Sequence, residues 1–289
     1  MQTFVPSQPE TDYDFRRCKY CGNLSAKPLY RLARQTIYGC SRCDFHALDR
    51  LDPIILLSGS NEEKPLDERS RQYMEQRMHD VDPLLPLRLQ LVREQRPLAG
   101  ARLLDIGAGT GQFIQRMSEE GAQARGLEPS ALRRQFARLK FGLELEEETI
   151  ETFCEHRENV ASFDLITLWD VIEHVNFPME TLVGARRCLK PGGYLFIDTP
   201  SRDALAYRLG EGAYRLSGGK ATLFLDTFYE PVPYGHKQIF RPQQLAELVE
   251  RVGFRVIRQD SGFFPPDNRL QKLIRPKNRI VLVGQRPAD

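Results

Sequence analysis

The sequence predicts an α/β fold, in which a doubly wound and mostly parallel sheet follows a small N-terminal module. Three observations predict it. From residue 101 onward, short apolar runs typical of buried strands alternate with amphipathic stretches typical of helices. A glycine-rich turn joins the first apolar run to the first helix, and two CxxC pairs occupy residues 18–43. The length of 289 residues accommodates two domains.

Four cysteines mark the N-terminal module, which is predicted to be a zinc ribbon spanning residues 1–51. Their C-x2-C-x18-C-x2-C spacing falls within the pattern of structural zinc sites. The alternative is an unmetallated or redox-active pair of CxxC turns. The predicted zinc ligands are Cys18, Cys21, Cys40 and Cys43.

The predicted ribbon is basic, with eight lysines and arginines against two aspartates in residues 16–50 and four aromatic residues among them. Such a surface can hold the phosphates of a nucleic acid. The arginine stems can equally cover a small core and leave their charges in solvent. Both interpretations stay open at this point.

Residues 52–97 are predicted to be a linker and a helical segment that caps the acceptor pocket. Residues 52–66 mix a short apolar run with Ser, Gly, Asn and Pro, as a domain boundary does. Residues 67–95 look helical, with leucines along one side, and Pro97 ends the pattern. Together with Tyr73, this segment is expected to shape the pocket.

The composition excludes several classes of protein. The hydrophobic fraction of 41% is enough for a core, and the net charge of +2 argues against a chain-wide polyanion binder. No stretch approaches the roughly 18 apolar residues of a membrane span. The N-terminal residues lack the basic and apolar regions of a signal peptide. We therefore expect a cytoplasmic protein with reduced thiols.

The glycine-rich turn in ARLLDIGAGTGQF, residues 101–113, predicts a nucleotide-type cofactor site. The dinucleotide fingerprint requires G-x-G-x-x-G, but Gln112 stands at the third glycine position. Asp105 lies two residues before Gly107, and a carboxylate at this turn repels a pyrophosphate, which a helix N-terminus otherwise attracts. A cofactor with an ammonium group and no phosphate suits the turn, and S-adenosylmethionine is such a cofactor.

A second acid supports this cofactor. Glu128 ends the short apolar run ARGLEPS about 20 residues beyond the glycine turn, where a carboxylate can accept hydrogen bonds from ribose hydroxyls. Taken alone, Glu128 can also be a surface acid. Beyond it the alternation continues, with strands predicted in residues 162–175 and 194–201, a helix in 241–254, and two final strands in 255–261 and 279–286.

The segments DIGAGTGQF, GLEPS, FDLITLWDVIEHV and LKPGGYLFIDTPS resemble, in order and spacing, the motifs of class I S-adenosylmethionine-dependent methyltransferases. The resemblance covers residues 98–289 and is nearest to the branch with ubiquinone-pathway O-methyltransferases. It implies a Rossmann-like, seven-stranded sheet whose last strand is antiparallel. The implied cofactor-binding residues are Asp105, Gly107, Ala108, Gly109, Gly111, Glu128, Pro129, Thr149, Ile150, Trp169 and Asp170.

The ribbon also has parallels, because some deoxysugar C-methyltransferases and some ribosomal-RNA guanine methyltransferases resemble this layout. Two histidines are candidate proton acceptors. His174, after the predicted fourth strand, is the best single candidate, and His236, before a later helix, is its competitor. The alternative is that both histidines are structural hydrogen-bonding groups. Asp170, Glu173 and His174 also resemble a metal-binding triad of related enzymes.

Residues 201–234 are predicted to be an insertion that forms a lid over the ligand end of the sheet, or else a packing excursion. These features together predict a cytoplasmic methyltransferase with an N-terminal zinc ribbon. Its methyl acceptor is expected to be an O or C atom of a small or carrier-bound molecule. The alternatives are an RNA methyltransferase that grips its substrate through the ribbon, and a non-catalytic binding protein with a cofactor fold.

Overall fold

A computed structural model describes residues 13–53, 84–229, 232–262 and 277–288, together with Glu68 and Gln72. Most of the predicted linker and cap segment, including Tyr73, lies outside the described residues. Every helix within the described ranges is too short or too polar to cross a membrane.

The strands, in chain order, are β1 Ala26–Arg31, β2 Thr36–Cys40, β3 His46–Leu48, β4 Arg102–Ile106, β5 Gln123–Leu127, β6 Phe163–Trp169, β7 Leu189–Pro200, β8 Gln238–Ile239, β9 Arg255–Asp260 and β10 Arg279–Gln285. The α-helices are α1 Leu85–Arg93, α2 Gln112–Glu119, α3 Ala131–Phe141, α4 Ile150–Phe153, α5 Pro178–Cys188, α6 Leu205–Leu216, α7 Leu225–Phe228 and α8 Pro242–Arg251. A 3₁₀ turn covers Arg157–Asn159.

Six of these strands form the central sheet, in the order β5-β4-β6-β7-β10-β9. The pairs β4–β5, β4–β6 and β6–β7 are parallel, whereas β10 runs antiparallel to both of its neighbours. This confirms the predicted doubly wound sheet with an antiparallel last strand. On the far side of β5, a single parallel bridge between Leu127 and Glu146 occupies the place of a seventh strand in the described chain.

The middle of the central sheet is buried on both faces. Residues 165–168 of β6 and 195–199 of β7 are all fully buried, as expected for parallel strands covered by helices on both sides. Because the sheet order reverses around β4, the ends of β4 and β6 open a crevice where ligands bind in folds of this type. The carboxyl ends of these strands therefore position the candidate site.

The ribbon strands β1, β2 and β3 pair antiparallel and are joined by β8 of the larger unit, giving a second sheet in the order β1-β2-β3-β8. The contact is also made by side chains, since Phe45 packs against Phe240 with ring centroids 5.3 Å apart. The Tyr20 hydroxyl donates to Glu247 at 2.6 Å. The ribbon therefore shares its sheet and part of its core with the rest of the chain, across the predicted domain boundary at residue 51.

The insertion at residues 201–234 packs on the ribbon through its helix α6. The Tyr30 hydroxyl of β1 donates to Glu211 at 2.8 Å, and the backbone N–H of Arg31 donates to the Tyr214 hydroxyl at 2.9 Å. Tyr207 is fully buried in the apolar cluster between the two units. These contacts fit the packing interpretation of the insertion, and the lid stays a prediction.

Candidate functional site

The glycine turn begins where β4 ends, beside a buried carboxylate. Asp105 is 2% exposed, and its Oδ1 accepts a hydrogen bond from the Thr167 hydroxyl at 2.6 Å. Burial raises the pKa of Asp105 to about 7, since the charged form loses its hydration, and the carboxylates of Glu128 and Asp198 add to this rise. A positive charge placed beside Asp105 would therefore stabilise the ionised form of its carboxyl group.

The second acid, Glu128, is held at the turn by backbone groups. Its two oxygens accept hydrogen bonds from the N–H of Gly109 at 2.8 Å and of Ser130 at 2.9 Å. Gly109 has a φ of +58°, and a Cβ placed on it meets no atom within 4 Å. At Gly107, by contrast, a Cβ would lie 2.6 Å from a methyl carbon of Val171. The turn thus requires glycine for its shape and leaves open space at Gly109.

Four more of the predicted cofactor-binding residues lie around the same edge of the sheet. Ala108 is buried, and its N–H donates to the Leu127 carbonyl at 2.9 Å. The Pro129 carbonyl accepts a hydrogen bond from Arg134 at 2.8 Å. Thr149 is half-buried at the start of α4, whereas the Ile150 side chain is 1% exposed within the core. Of this pair, Thr149 is therefore the one with a side chain available to a ligand.

Trp169 and Asp170 lie at the end of β6, where the sequence places them, but Asp170 belongs to a charge cluster that the sequence analysis missed. Its carboxylate pairs with Arg88 at 2.5 Å and with Arg279, and both guanidinium groups also contact the buried Asp198. Although burial alone would raise the pKa of Asp170, Arg279 and Arg88 hold it below the usual value. Arg88 also stacks over the Trp169 ring at 5.4 Å.

The suggested metal triad of Asp170, Glu173 and His174 is therefore replaced by a different set. In the described chain, Glu173, His174 and His236 bring their ligand atoms within 4.8 Å of one another, and Asp170 is not among them. The physical reason is that the two arginines already neutralise Asp170. Two imidazoles and one carboxylate can bind a divalent cation, or they can move a proton.

The two predicted histidines do lie together, with ring centroids 4.6 Å apart. Burial lowers the pKa of His174 to about 3, and the nearby His236 and Lys237 add to this effect. His236 places Nδ1 3.0 Å from the Phe228 carbonyl. Because a carbonyl only accepts, Nδ1 carries a hydrogen, and in the neutral ring the lone pair is therefore on Nε2.

Glu173 is the acid of this cluster and is fully buried. Its Oε2 accepts a hydrogen bond from the Thr199 hydroxyl at 2.8 Å, and its Oε1 lies 3.8 Å from Nε2 of His174. Burial raises the pKa of Glu173 well above its usual value, and the charge of Asp170 adds to the effect. The sequence named Glu173 only as a metal ligand, although its place beside His174 made it a candidate.

A buried ion pair behind the histidines fixes their backbone. The Lys237 ammonium donates to Asp52 at 2.6 Å and also to the His174 carbonyl. Asp52 in turn is held by Asn176, whose Oδ1 accepts from the Asp52 N–H at 2.9 Å. This network joins the end of the ribbon segment to both histidine loops, so the position of the histidines depends on residues far apart in the sequence.

The four predicted zinc ligands also come together. The Sγ atoms of Cys18 and Cys43 are 3.6 Å apart, those of Cys21 and Cys40 are 3.7 Å apart, and all four lie within 4.8 Å of one another. Each CxxC turn closes with a residue of positive φ after its second cysteine, Gly22 at +73° and Asp44 at +55°. The two turns therefore have matching shapes.

Some of the basic side chains of the ribbon contact the protein itself. Arg16 pairs with Asp14 at 2.7 Å, and Arg42 donates to the Asn23 side chain at 3.1 Å. The Lys19 ammonium lies 5.8 Å from the centroid of the Phe177 ring. Both interpretations of the basic surface stay open.

The sheet order, the glycine turn and the two buried acids define a methyltransferase that uses S-adenosylmethionine. A family model described as a methyltransferase domain matches residues 73–259, and the chain belongs to this family.

Curated relatives agree with this assignment. A ubiquinone biosynthesis O-methyltransferase of Vibrio cholerae is 30% identical over 202 residues, which are 66% of this chain and 77% of the relative. Another enzyme of that name, from Nitrosococcus oceani, is 34% identical over 134 residues, 45% of this chain and 55% of the relative's length.

Solved structures show the same fold. A SAM dependent methyltransferase from Archaeoglobus fulgidus has a TM-score of 0.53 at 18% identity, and the match covers 76% of this chain and all of that one. An S-adenosylmethionine dependent methyltransferase from Mesorhizobium loti has a TM-score of 0.50 at 18% identity, covering 69% of this chain and 98% of that chain. The predicted family and fold are thus confirmed.

Proposed function

We propose that this enzyme transfers the methyl group of S-adenosylmethionine to an oxygen atom of a small-molecule acceptor. The observation that carries the proposal is the cluster of Glu173, His174 and His236 at the same end of the sheet as the glycine turn. An acceptor hydroxyl must lose its proton, and this cluster offers a lone pair for it. The relatives named as ubiquinone biosynthesis O-methyltransferases support oxygen rather than carbon as the acceptor atom.

The residues present fit the cofactor. Asp105 offers a buried carboxyl group for the ammonium of the methionine end, and Glu128 offers a carboxylate for the ribose hydroxyls. The open space at Gly109 leaves room for the cofactor to contact the backbone of the turn. When bound, S-adenosylmethionine supplies an electrophilic methyl group on a sulfonium. The protein's part is to hold the acceptor in line with that group and to exclude water.

For the proton, we favour Nε2 of His236. The Phe228 carbonyl fixes the tautomer of His236 with its lone pair on Nε2. The pKa of His174, lowered by burial to about 3, makes its imidazole a weak base. In this arrangement His174 and Glu173 hold the acceptor beside His236.

The experiment is a comparison of His236→Ala and His174→Ala with wild-type enzyme. S-adenosylhomocysteine release is measured over a panel of hydroxyl-bearing small molecules. His236→Ala should lower kcat by about 10²–10⁴, with cofactor affinity nearly constant by titration calorimetry. His156→Ala is the matched control, because His156 is half-exposed and pairs only with Glu148 in the described chain.

Unchanged kcat in His236→Ala would contradict the proton role. Loss of activity in chelator, with recovery on adding a divalent cation, would assign the cluster to a metal instead. Cofactor binding without turnover on any acceptor would favour the non-catalytic alternative.

The ribbon is proposed to hold one structural zinc ion. A Zn–S bond of about 2.3 Å places two sulfurs of a tetrahedron about 3.8 Å apart, close to the distances between the paired cysteines. The pKa of the Cys18 thiol is lowered to about 5, chiefly by its hydrogen bond with Cys43 and also by backbone N–H groups of Cys21 and Tyr20. The same hydrogen bond raises the pKa of the Cys43 thiol, so the distances between the four sulfurs, and not the thiol pKa values, support the zinc ion. The cytoplasmic location and the RNA alternative stay predictions.

A further inference from the structure

A second cavity lies where the ribbon, helix α6 and the segment after β7 meet. Its volume is about 680 Å³, which is within the range of small-molecule sites. None of the predicted cofactor residues lines it. With the exception of Gly212, every described lining residue is charged, and the basic ones are Arg202, Arg208, Arg215, Arg241 and Lys277.

The three carboxylates of this cavity are already neutralised. Asp44 lies 3.1 Å from Arg202 and 3.0 Å from Arg241. Asp203 pairs with Arg241 at 3.6 Å, and Glu211 pairs with Arg202 at 3.3 Å. Five cations therefore face three carboxylates, and the excess of two positive charges is not distributed evenly.

The excess positive charge lies on the basic side chains that take no part in these ion pairs. Arg208 and Lys277 are exposed and have no ion-pair partner among the residues that the structure describes. Arg215 donates to the Tyr30 hydroxyl at 3.3 Å, and the charge of Glu211, which is itself paired with Arg202, also acts on it. Three cations on one cavity repel one another, and a bound anion would relieve that repulsion.

Arg202 gives the cavity a rigid floor. It is 2% exposed, its terminal nitrogens are held by Asp44 and Glu211, and it lies 5.9 Å from the Tyr207 ring. Its Nε is buried and has no acceptor within the described chain. A buried cationic donor left without an acceptor is costly, and the two carboxylates hold the guanidinium group of Arg202 in place.

We propose that this cavity binds a phosphate or diphosphate group carried by the methyl acceptor. The proposal rests on the proposed function and adds the chemical class of the acceptor. Thr199, bonded to Glu173 of the catalytic cluster, precedes Arg202 by three residues, a backbone span of at most about 11 Å. An acceptor whose phosphate lies in the cavity would have to extend from Arg202 back toward the end of β7 to bring its hydroxyl near the histidines.

The test is titration calorimetry with inorganic pyrophosphate on the full chain, at about 0.15 M ionic strength so that diffuse attraction is screened. The double variant Arg208→Gln/Lys277→Gln removes two unpaired charges and no described ion pair. The control Lys140→Gln/Lys220→Gln removes the same charge from exposed positions that do not line the cavity. Wild type and control should bind saturably and alike, and the double variant at least tenfold more weakly.

Uridine diphosphate and phosphopantetheine are then titrated as the two sources of the group. Tighter binding of either one than of pyrophosphate supports the proposal and identifies the source. The proposal is overturned by no saturable binding, by equal weakening in both double variants, or by pyrophosphate binding that neither ester improves, which means an adventitious ion only. Tighter binding of a short single-stranded RNA than of either ester would also overturn it. S-adenosylmethionine is titrated separately, so that failure of the methyltransferase function is recognised independently.

Discussion

Replacing Asp105 with asparagine is expected to stabilise the ligand-free enzyme while it weakens cofactor binding. The carboxyl group is 2% exposed, and burial raises its pKa from 3.8 to about 7. Above neutral pH, folding therefore buries a charge that water would hydrate. Asparagine has nearly the same shape and can still accept the hydrogen bond from Thr167, but it carries no charge.

The size of the effect follows from the two pKa values. Each pKa unit corresponds to about 1.4 kcal/mol, so a rise from 3.8 to about 7 costs the folded state about 4 kcal/mol. The sign follows from linkage. Because the folded pKa is raised, the stability contributed by Asp105 is fully present below the unfolded value of 3.8 and is lost as pH rises to about 7. The free energy of unfolding of Asp105→Asn, relative to that of the wild type, should thus increase by about 2–3 kcal/mol between about pH 5 and pH 8 and stay constant at higher pH.

Denaturant unfolding of both proteins across this pH range measures the difference directly. Titration calorimetry with S-adenosylmethionine should give an affinity at least tenfold lower for the variant, because a charge-assisted interaction is lost. A stability difference that is the same at both ends of the range would show that Asp105 carries no buried charge. Unchanged cofactor affinity would remove Asp105 from the site.

The other predictions concern the ribose acid, the ribbon and the charge cluster. Glu128→Gln should reduce S-adenosylmethionine affinity about tenfold or more by calorimetry, and unchanged affinity would exclude the ribose role. Wild-type protein should contain about one zinc per chain by elemental analysis, and a metal-free, fully folded wild type would contradict the zinc site. Cys40→Ser should lower the melting temperature of the whole chain, because β3 of the ribbon pairs with β8. Arg279→Met should lower the free energy of unfolding by about 3–5 kcal/mol, since it removes one of the charge partners of Asp170 and of the buried Asp198. The exposed Arg258→Met is the control and should lower it by at most about 1 kcal/mol. Equal losses would refute the role of the charge cluster.

The ribbon illustrates how far sequence spacing reaches. Two CxxC pairs predict a four-thiolate cluster because each pair is a local turn, and the structure brings the four sulfurs together. The same spacing predicts a separate module of residues 1–51. The pairing of His46 with Ile239 joins that module to the larger unit, and no local pattern announces a two-residue edge strand almost 200 residues away.

The candidate site at the carboxyl ends of the strands was likewise predictable from the sequence only in part. The glycine turn, Asp105 and Glu128 were determined by the sequence itself, because turn geometry and strand-end position act over a few residues. Only the tertiary structure decided that Asp170 pairs with Arg88 and Arg279, and that His236 completes the cluster in its place. These contacts depend on which strands are neighbours and on how deeply their ends are buried. The packing of the strands and helices determines which buried charges pair with each other. Periodicity and spacing along the chain do not specify that packing.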